Sequence, residues 1–544
     1  MENTNKYTLP AFLSRSFAKY SKNDFLGFSD EKPKSYAEIH EEVKSVIAFL
    51  ENLGVKQGDK VAIFSNNMPN WGITYFATVT IGAIAVPLLP DFSENELENI
   101  LNHSESKVIF TSEILEEKVI NVNTEFLESK IRINDFTNID VKNDVKHDYN
   151  LKSETIVDVE EDDTAIIIYT SGTTGKSKGV MLTHKNLSFN TEKCGVLQPI
   201  VEEDVFLSFL PLSHAYENTL GLLLPMHNGA SVYYLRKLPS PAVLIPAMQA
   251  VKPTIMLSVP LIIEKIYRNK ILSSLNAKKT TKILYKVPPI RKLINAAAGR
   301  KLMDNFGGRI RFFGIGGAKL DPVVEKFLIE AKFPYAIGYG LTETSPLLAG
   351  VNPKTVRLGS TGPVIEDMEL KLKDVNPKTG EGELWAKGPA IMKGYYKEPE
   401  LTREVLTEDG WFNTGDLVTL DKDNFVFVKG RSKNVIVGSS GENIYPEEIE
   451  SIINNFNFVT ESLVVEEKGR LVALVHLNMD EFEKKYQHVK HELDDKVEDL
   501  KGDLKVYINS KVNKFSAIKV VTIQDKPFEK TPTQKIKRYK YNLG

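Results

Sequence analysis

The eleven residues 169–179, YTSGTTGKSKG, are built to hold phosphate. Hydroxyls at Thr170, Ser171, Thr173 and Thr174 alternate with Gly172, Gly175 and Gly179, so main-chain N–H groups and side-chain donors can converge on one polyanion. Lys176 and Lys178 add positive charge. A Walker A loop needs a glycine five residues before Gly175, and that position is Thr170, which argues against the ordinary P-loop kinases and GTPases. A solvated Ser/Thr/Gly linker would not need this order of glycines, hydroxyls and lysines. The preceding run 164–168, TAIII, is short, apolar and β-branched, and places the loop at the end of a buried strand.

Six further blocks follow in order: LPLSH at 210–214, GIGGAKL at 314–320, GYGLTETSP at 338–346, WFNTGDL at 411–417, KGRSKNVIVGSSGENIYPEEIE at 429–450 and TPTQKIKR at 531–538. With the loop at 169–179 they resemble the signature of the AMP-forming acyl-adenylate ligases, the superfamily of acyl-CoA synthetases, luciferases and adenylation domains. Within it the chain is most similar to a long-chain fatty acyl-CoA synthetase. The resemblance implies a large α/β domain of layered parallel-type sheets and helices at 1–431, with a barrel-like part at about 356–430. A smaller mobile α+β domain follows at 432–544, hinged at Lys433. It implies ATP, Mg²⁺ and CoA as reactants and cofactor, and a fatty acid activated as acyl-AMP before transfer to a thiol. An acyl carrier protein is the alternative acceptor, and a non-catalytic acyl or nucleotide binder is a third reading that the joint presence of Glu343, Asp416, Arg431 and Lys535 disfavours.

Carried over residue by residue, the resemblance gives Thr170, Ser171, Gly172, Thr173, Thr174, Gly175 and Lys178 to the β- and γ-phosphates. Gly316, Gly317 and Ala318 go to the adenine, with Tyr339 and Gly340 beside it. Thr342 would bond the α-phosphate and Glu343 would ligate Mg²⁺, which takes oxygen donors and usually one carboxylate among phosphates and waters. Asp416 would accept from the ribose hydroxyls and Arg431 would reach ribose or phosphate. Lys535 would carry the first half-reaction, offsetting charge as carboxylate and α-phosphate meet. Gly438, Gly441, Glu442 and Asn443 would line the pantetheine tunnel, and His214 would sit beside the acyl pocket. Each has a plainer reading alone: a core aromatic for Tyr339, a helix cap and first-turn acid for Thr342 and Glu343, a turn for Asp416, a surface ion pair for Arg431, a basic tail for Lys535 and a packed core residue for His214. Gln534 departs from the glycine common in the family.

Holding these residues requires alternating elements. A helical pattern at 36–53 buries Ile39, Val43, Val46, Ile47 and Leu50 on one face, followed by a strand at 60–66, a helix from Trp71, a polar helix at 93–102 and a strand at 107–112. Such βαβ alternation predicts a parallel sheet covered by helices. Residues 113–160 lose the period and read as a peripheral connection, whereas 356–428 break into short strands and turns. A helix at 446–454 and strands near 462–465 and 471–477 predict the α+β module. The run NTLGLLLPM at 218–226 either lines an acyl channel or is a buried helix, which periodicity does not separate.

A chain of 544 residues is too long for one core. Its net charge of −3 argues against wholesale nucleic-acid binding. Its one cysteine, Cys194, excludes an intramolecular disulfide and, with no leader-like amino terminus, points to the cytoplasm. Between 268 and 301 there are ten lysines and arginines and no acid, interleaved with isoleucines and leucines. That composition suits peripheral contact with the anionic inner face of a membrane, or simply a solvated basic face.

Overall fold

The fold was taken from a computed structural model, which describes residues 7–139, 145–171, 177–276, 279–438, 442–486, 493–531 and 535–541. Two eight-stranded sheets dominate. In the first, Ser106–Thr111, Lys60–Phe64, Ile84–Leu88 and Thr164–Ser171 lie side by side in parallel. Ser177–Thr183 then turns back antiparallel on Thr164–Ser171, and Gly394–Tyr395 adds to its outer edge. In the second, Asp24–Phe28, Ser231–Tyr234, Val205–Ser208, Ile255–Ser258, Phe312–Ile315 and Tyr335–Gly340 run parallel in that spatial order.

Local chemistry sets the helices. Tyr36–Asn52 starts at a reciprocal capping box between Ser35 and Glu38, and buries the five apolar residues of its predicted face. Each such burial contributes about 1.5–3 kcal/mol, so a charge at Val46 would break the helix packing. Pro69–Thr80 is apolar nearly all round because sheet and helices enclose it, with every residue buried except Asn70. His184–Leu197 begins where Thr183 accepts from the Asn186 amide and the Asn186 side chain returns the bond.

One expectation is corrected. Residues 113–160 are not merely peripheral: Ser129–Arg132 pairs in parallel with Ser106–Thr111 and buries Ile131. The strand Thr164–Ser171, at whose end the phosphate loop is expected, pairs antiparallel with Ser177–Thr183, from Thr164 opposite Thr183 up to Ser171 opposite Ser177, and the next helix begins at His184.

The 356–430 part is a four-stranded antiparallel sheet of Glu369–Lys373, Gly382–Lys387, Phe412–Leu420 and Val426–Arg431. Beyond it, Val459–Glu467, Arg470–Leu477 and Val520–Gln524 form a three-stranded sheet with the helices Pro446–Asn454 and Leu493–Asn509. The apolar clusters divide in the same region of the chain. Three contain no residue beyond Val428, and two begin at Ile436 or later.

Candidate active site

Asp416 anchors the polar centre. It lies inside the strand Phe412–Leu420, next to Gly415 with φ 68° where the register against Gly382–Lys387 shifts, and the neighbouring strand sets it opposite Arg431. Only 4 % exposed, its carboxylate accepts from Tyr339 Oη at 2.6 Å and pairs with Arg431 Nε at 3.0 Å. Burial raises the carboxyl pKa, while Arg431 opposes the rise. Arg431 also donates to the Thr414 carbonyl at 2.9 Å, which fixes its guanidinium plane. Tyr339 is half-buried with its hydroxyl spent on Asp416, so it has a ring face to offer and no free donor.

Lys535 arrives from the carboxy-terminal module. Its stem is exposed, but its ammonium is enclosed: burial first, then Arg431, lowers its pKa, and Asp416 and Glu343 oppose this. His214 lies within reach of the same charge. Burial, with Lys535 second, brings its pKa down to about 4, so its imidazole is neutral at pH 7. The structure therefore gathers Lys535, Arg431, Asp416, Glu343 and His214, from segments more than 300 residues apart in sequence.

Glu343 lies in a single 3₁₀ turn, Thr342–Thr344, and accepts from Tyr395 Oη at 2.9 Å. Lys178 donates to the same phenol at 3.2 Å. Burial lowers the Lys178 pKa, Glu343 opposes, and the charges of Lys433 and Arg431 lower it further. The Thr342 hydroxyl bonds no described residue. A carbon on Gly340 would meet the Pro346 carbonyl at 1.8 Å, so this glycine is required for close packing of the turn.

Of the phosphate loop, Thr170 and Lys178 are described. Gly172, Thr173, Thr174 and Gly175 lie outside the described residues, and Ser171 only as backbone. Gly441 is outside them too, while Gly438 N–H donates to the Glu442 carbonyl at 2.8 Å and Asn443 begins a short strand paired with Ile436–Val437. At Gly316 an added carbon would meet the Tyr216 ring at 3.2 Å, so a side chain there would crowd Tyr216. The open backbone is at Gly317, with φ 86°, and at exposed Ala318.

Tyr216 also walls a small apolar cavity of about 50 Å³, partly open to solvent, lined with Leu220, Leu224, Leu257, Ile337 and Leu347. The segment 218–226 is largely buried: Leu220, Leu222, Leu223 and Leu224 all belong to the core, and Leu220 and Leu224 also line the cavity. Asn218–Leu223 is wound as a π-helix. Glu217, at its start, is buried with its pKa raised to about 8 by loss of solvent, and Oε2 has no hydrogen-bond partner among the described residues.

Sequence reasoning missed Tyr216 and Tyr395, since no spacing links them to the residues they touch. Magnesium fits the donor set: among the described residues no three metal-ligating side chains cluster, and Glu343 offers one hard carboxylate oxygen, which suits a cation that arrives with phosphate and keeps its waters.

A model of the AMP-binding enzyme family matches residues 13–396. A long chain acyl-CoA synthetase 1 from Arabidopsis thaliana is 30% identical over 95% of this chain and 87% of its own. A chloroplastic long-chain-fatty-acid–[acyl-carrier-protein] ligase from the same plant is 28% identical over 93% of this chain and 80% of its own. Among solved structures, the o-succinylbenzoate CoA synthetase of Bacillus subtilis, in complex with its acyl-adenylate intermediate, superposes with a TM-score of 0.76 at 23% identity. That match covers 98% of each chain.

Proposed function

The chain belongs to the AMP-binding enzyme family and is an AMP-forming acyl-CoA ligase, and on that premise we propose that its acid is a long-chain fatty acid and that Lys535 carries the adenylation step. The observation behind the second part is the enclosure of Lys535 with Arg431, Asp416, Glu343 and His214. A carboxylate oxygen attacks the α-phosphorus of ATP, the bond to the β-phosphate oxygen breaks, and pyrophosphate leaves. Two anions must meet, and the Lys535 ammonium offsets their repulsion in a site with little water. Thr170 and Lys178 hold the leaving side, Thr342 offers its uncommitted hydroxyl to the α-phosphate, and Asp416, oriented by Tyr339 and Arg431, accepts from the ribose. Gly317 and Ala318 offer open backbone to the adenine. When bound at Glu343, Mg²⁺ would supply charge neutralisation to the phosphates. In the second step the thiol sulfur attacks the acyl carbonyl carbon and AMP departs.

Relatives named long-chain acyl-CoA synthetases at about 30% identity support the long-chain reading, and the apolar lining of the small cavity behind Tyr216 agrees with an apolar acid. Two units, 1–431 and 432–544, turn about Lys433 between the steps, a reading supported by the division of the apolar clusters between Val428 and Ile436. The turn replaces Lys535 at the site by the segment of Gly438, Gly441, Glu442 and Asn443. A carrier-protein thiol is the second reading, favoured by the acyl-carrier-protein ligase among the relatives.

Pyrophosphate release over acids from acetate to oleate, followed by transfer to CoA or to holo carrier protein, tests these readings. Activity confined to short or aromatic acids overturns the long-chain proposal.

Peripheral membrane contact is a further proposal. Among the described residues no helix is long and apolar enough to cross a membrane. On the helices Lys279–Leu284 and Pro288–Asn305, however, the chain exposes Ile283 at 67% and Leu293 at 72%, and Leu284 and, between the helices, Val287 are exposed as well. Lys282, Lys286 and Lys292, interleaved with them, form no ion pair with a described residue. Failure to sediment with phosphatidylglycerol vesicles at low salt would exclude the contact.

A further inference from the structure

Tyr395 is held more firmly than a surface phenol needs to be. Its short strand pairs with Ser177–Thr183, Gly394 opposite Met181 and Tyr395 opposite Val180, and the next residue, Tyr396, donates its N–H to the Gly179 carbonyl at 2.8 Å. The Tyr395 N–H donates to Thr402 Oγ1 at 2.9 Å, and the residue is 4 % exposed. Lys178 Nζ lies 4.3 Å from the ring centroid and donates to Oη at 3.2 Å, while Oη donates its own proton to Glu343 Oε1 at 2.9 Å. Glu343 is pinned from behind, because its carbonyl accepts from the Met392 N–H at 2.9 Å.

We propose that Tyr395 is a positioning residue for adenylation, a spacer that keeps the Lys178 ammonium and the Glu343 carboxylate apart and aimed. One group is thereby left for the leaving pyrophosphate and the other for Mg²⁺. The proposal rests on the adenylate-forming reading above. Opposite charges in a poorly hydrated site are drawn into direct contact, and such a pair would neutralise both of the groups that ATP and Mg²⁺ require. A phenol prevents the collapse because one oxygen accepts from the ammonium and donates to the carboxylate. Phenylalanine fills the same space and can do neither. The ring face adds a second hold on the ammonium that does not use up its N–H donors facing the ligand.

The test is Tyr395→Phe, which removes one oxygen and leaves the ring packing. Binding of ATP is measured by calorimetry over a series of Mg²⁺ concentrations, independently of turnover. A charge-assisted hydrogen bond is lost at each end, so affinity for ATP with Mg²⁺ falls about tenfold or more. The Mg²⁺ concentration for half-maximal pyrophosphate release rises by a similar factor, and KM for ATP rises more than kcat falls. Thioester formation from preformed oleoyl-adenylate and CoA, which does not use the pyrophosphate side, keeps its wild-type rate. Unchanged ATP affinity and Mg²⁺ dependence, or an equal loss in both half-reactions, overturns the proposal. If the wild-type protein releases no pyrophosphate with any acid, it is the activity reading that fails, and calorimetry still decides the role of Tyr395.

Discussion

Glu217→Gln should change how stability depends on pH more than any other single replacement in the large domain. The wild-type carboxyl is enclosed at the start of the π-helical turn, with its pKa raised to about 8 from an ordinary 4.5. Between these values the native protein keeps a proton that the unfolded chain has released, so the native state binds more protons and stability falls as pH rises. At about 1.4 kcal/mol per unit, the loss between pH 5 and pH 8 amounts to about 3 to 4 kcal/mol. Glutamine mimics the protonated acid and does not titrate. The variant should therefore be close to wild type at pH 5 and more stable by about 3 to 4 kcal/mol at pH 8, since contributions of other groups cancel in the difference. Urea unfolding followed by tryptophan fluorescence measures this well, because Trp71 is wholly buried on the helix Pro69–Thr80, whose Gly72 faces Leu222 of the same segment closely enough that an added carbon would lie 3.5 Å from it. Parallel pH profiles for the two proteins would refute a neutral buried Glu217. Gly221→Ala gives a companion check: its new methyl would lie 2.5 Å from the Glu217 carboxyl oxygen, so it should destabilise the protein and disturb the acyl cavity together.

Lys535→Ala should cut carboxylate-dependent pyrophosphate release by about 100-fold or more while ATP still binds, and transfer from preformed acyl-adenylate should persist; equal loss in both steps would contradict its assignment. Asp416→Asn removes the charge that holds Arg431 and Tyr339, and is expected to raise KM for ATP about 10- to 100-fold, read from initial rates of pyrophosphate release. Leu220→Trp fills the cavity beside Tyr216 and should move preference toward shorter acids across the acetate-to-oleate panel, whereas an unshifted profile would place the acyl chain elsewhere. His214, brought down to about 4, should give no inflection in the pH–rate profile near 6.5; because the unfolded chain protonates first, its contribution to stability is lost as pH falls from 6.5 toward 4.

The sequence-level reading succeeded where chemistry is local and failed where it is not. The helix Tyr36–Asn52 was legible because cap, period and apolar face agree within one window. The strand Ser129–Arg132 was not, since four residues with two cations carry little strand signal and acquire it only from pairing with Ser106–Thr111. Motif order carried Asp416, Arg431 and Lys535 as a list. That one enclosed ammonium faces Arg431, Asp416, Glu343 and His214 is a property of the packing. The glycines show the same limit: the missing side chain of Gly316 also leaves room for Tyr216, a partnership across a hundred residues that has no signature in spacing.

The contacts that hold the carboxy-terminal module against the large domain are polar. Lys319 pairs with Glu448 at 3.0 Å, Tyr445 Oη donates to Glu381 at 2.7 Å, and Asp321, which also caps the helix Pro322–Ala331, accepts from Ser451 and Asn455. No apolar cluster of described residues crosses this seam. Parting the two halves thus exposes little oily surface and trades each bond for one to water. If the two units part as proposed, the seam would work as a latch with a weak spring, its opening set by a few exchangeable hydrogen bonds and quickened by added salt. Turnover of such a molecule would be timed by its latch as much as by its chemistry.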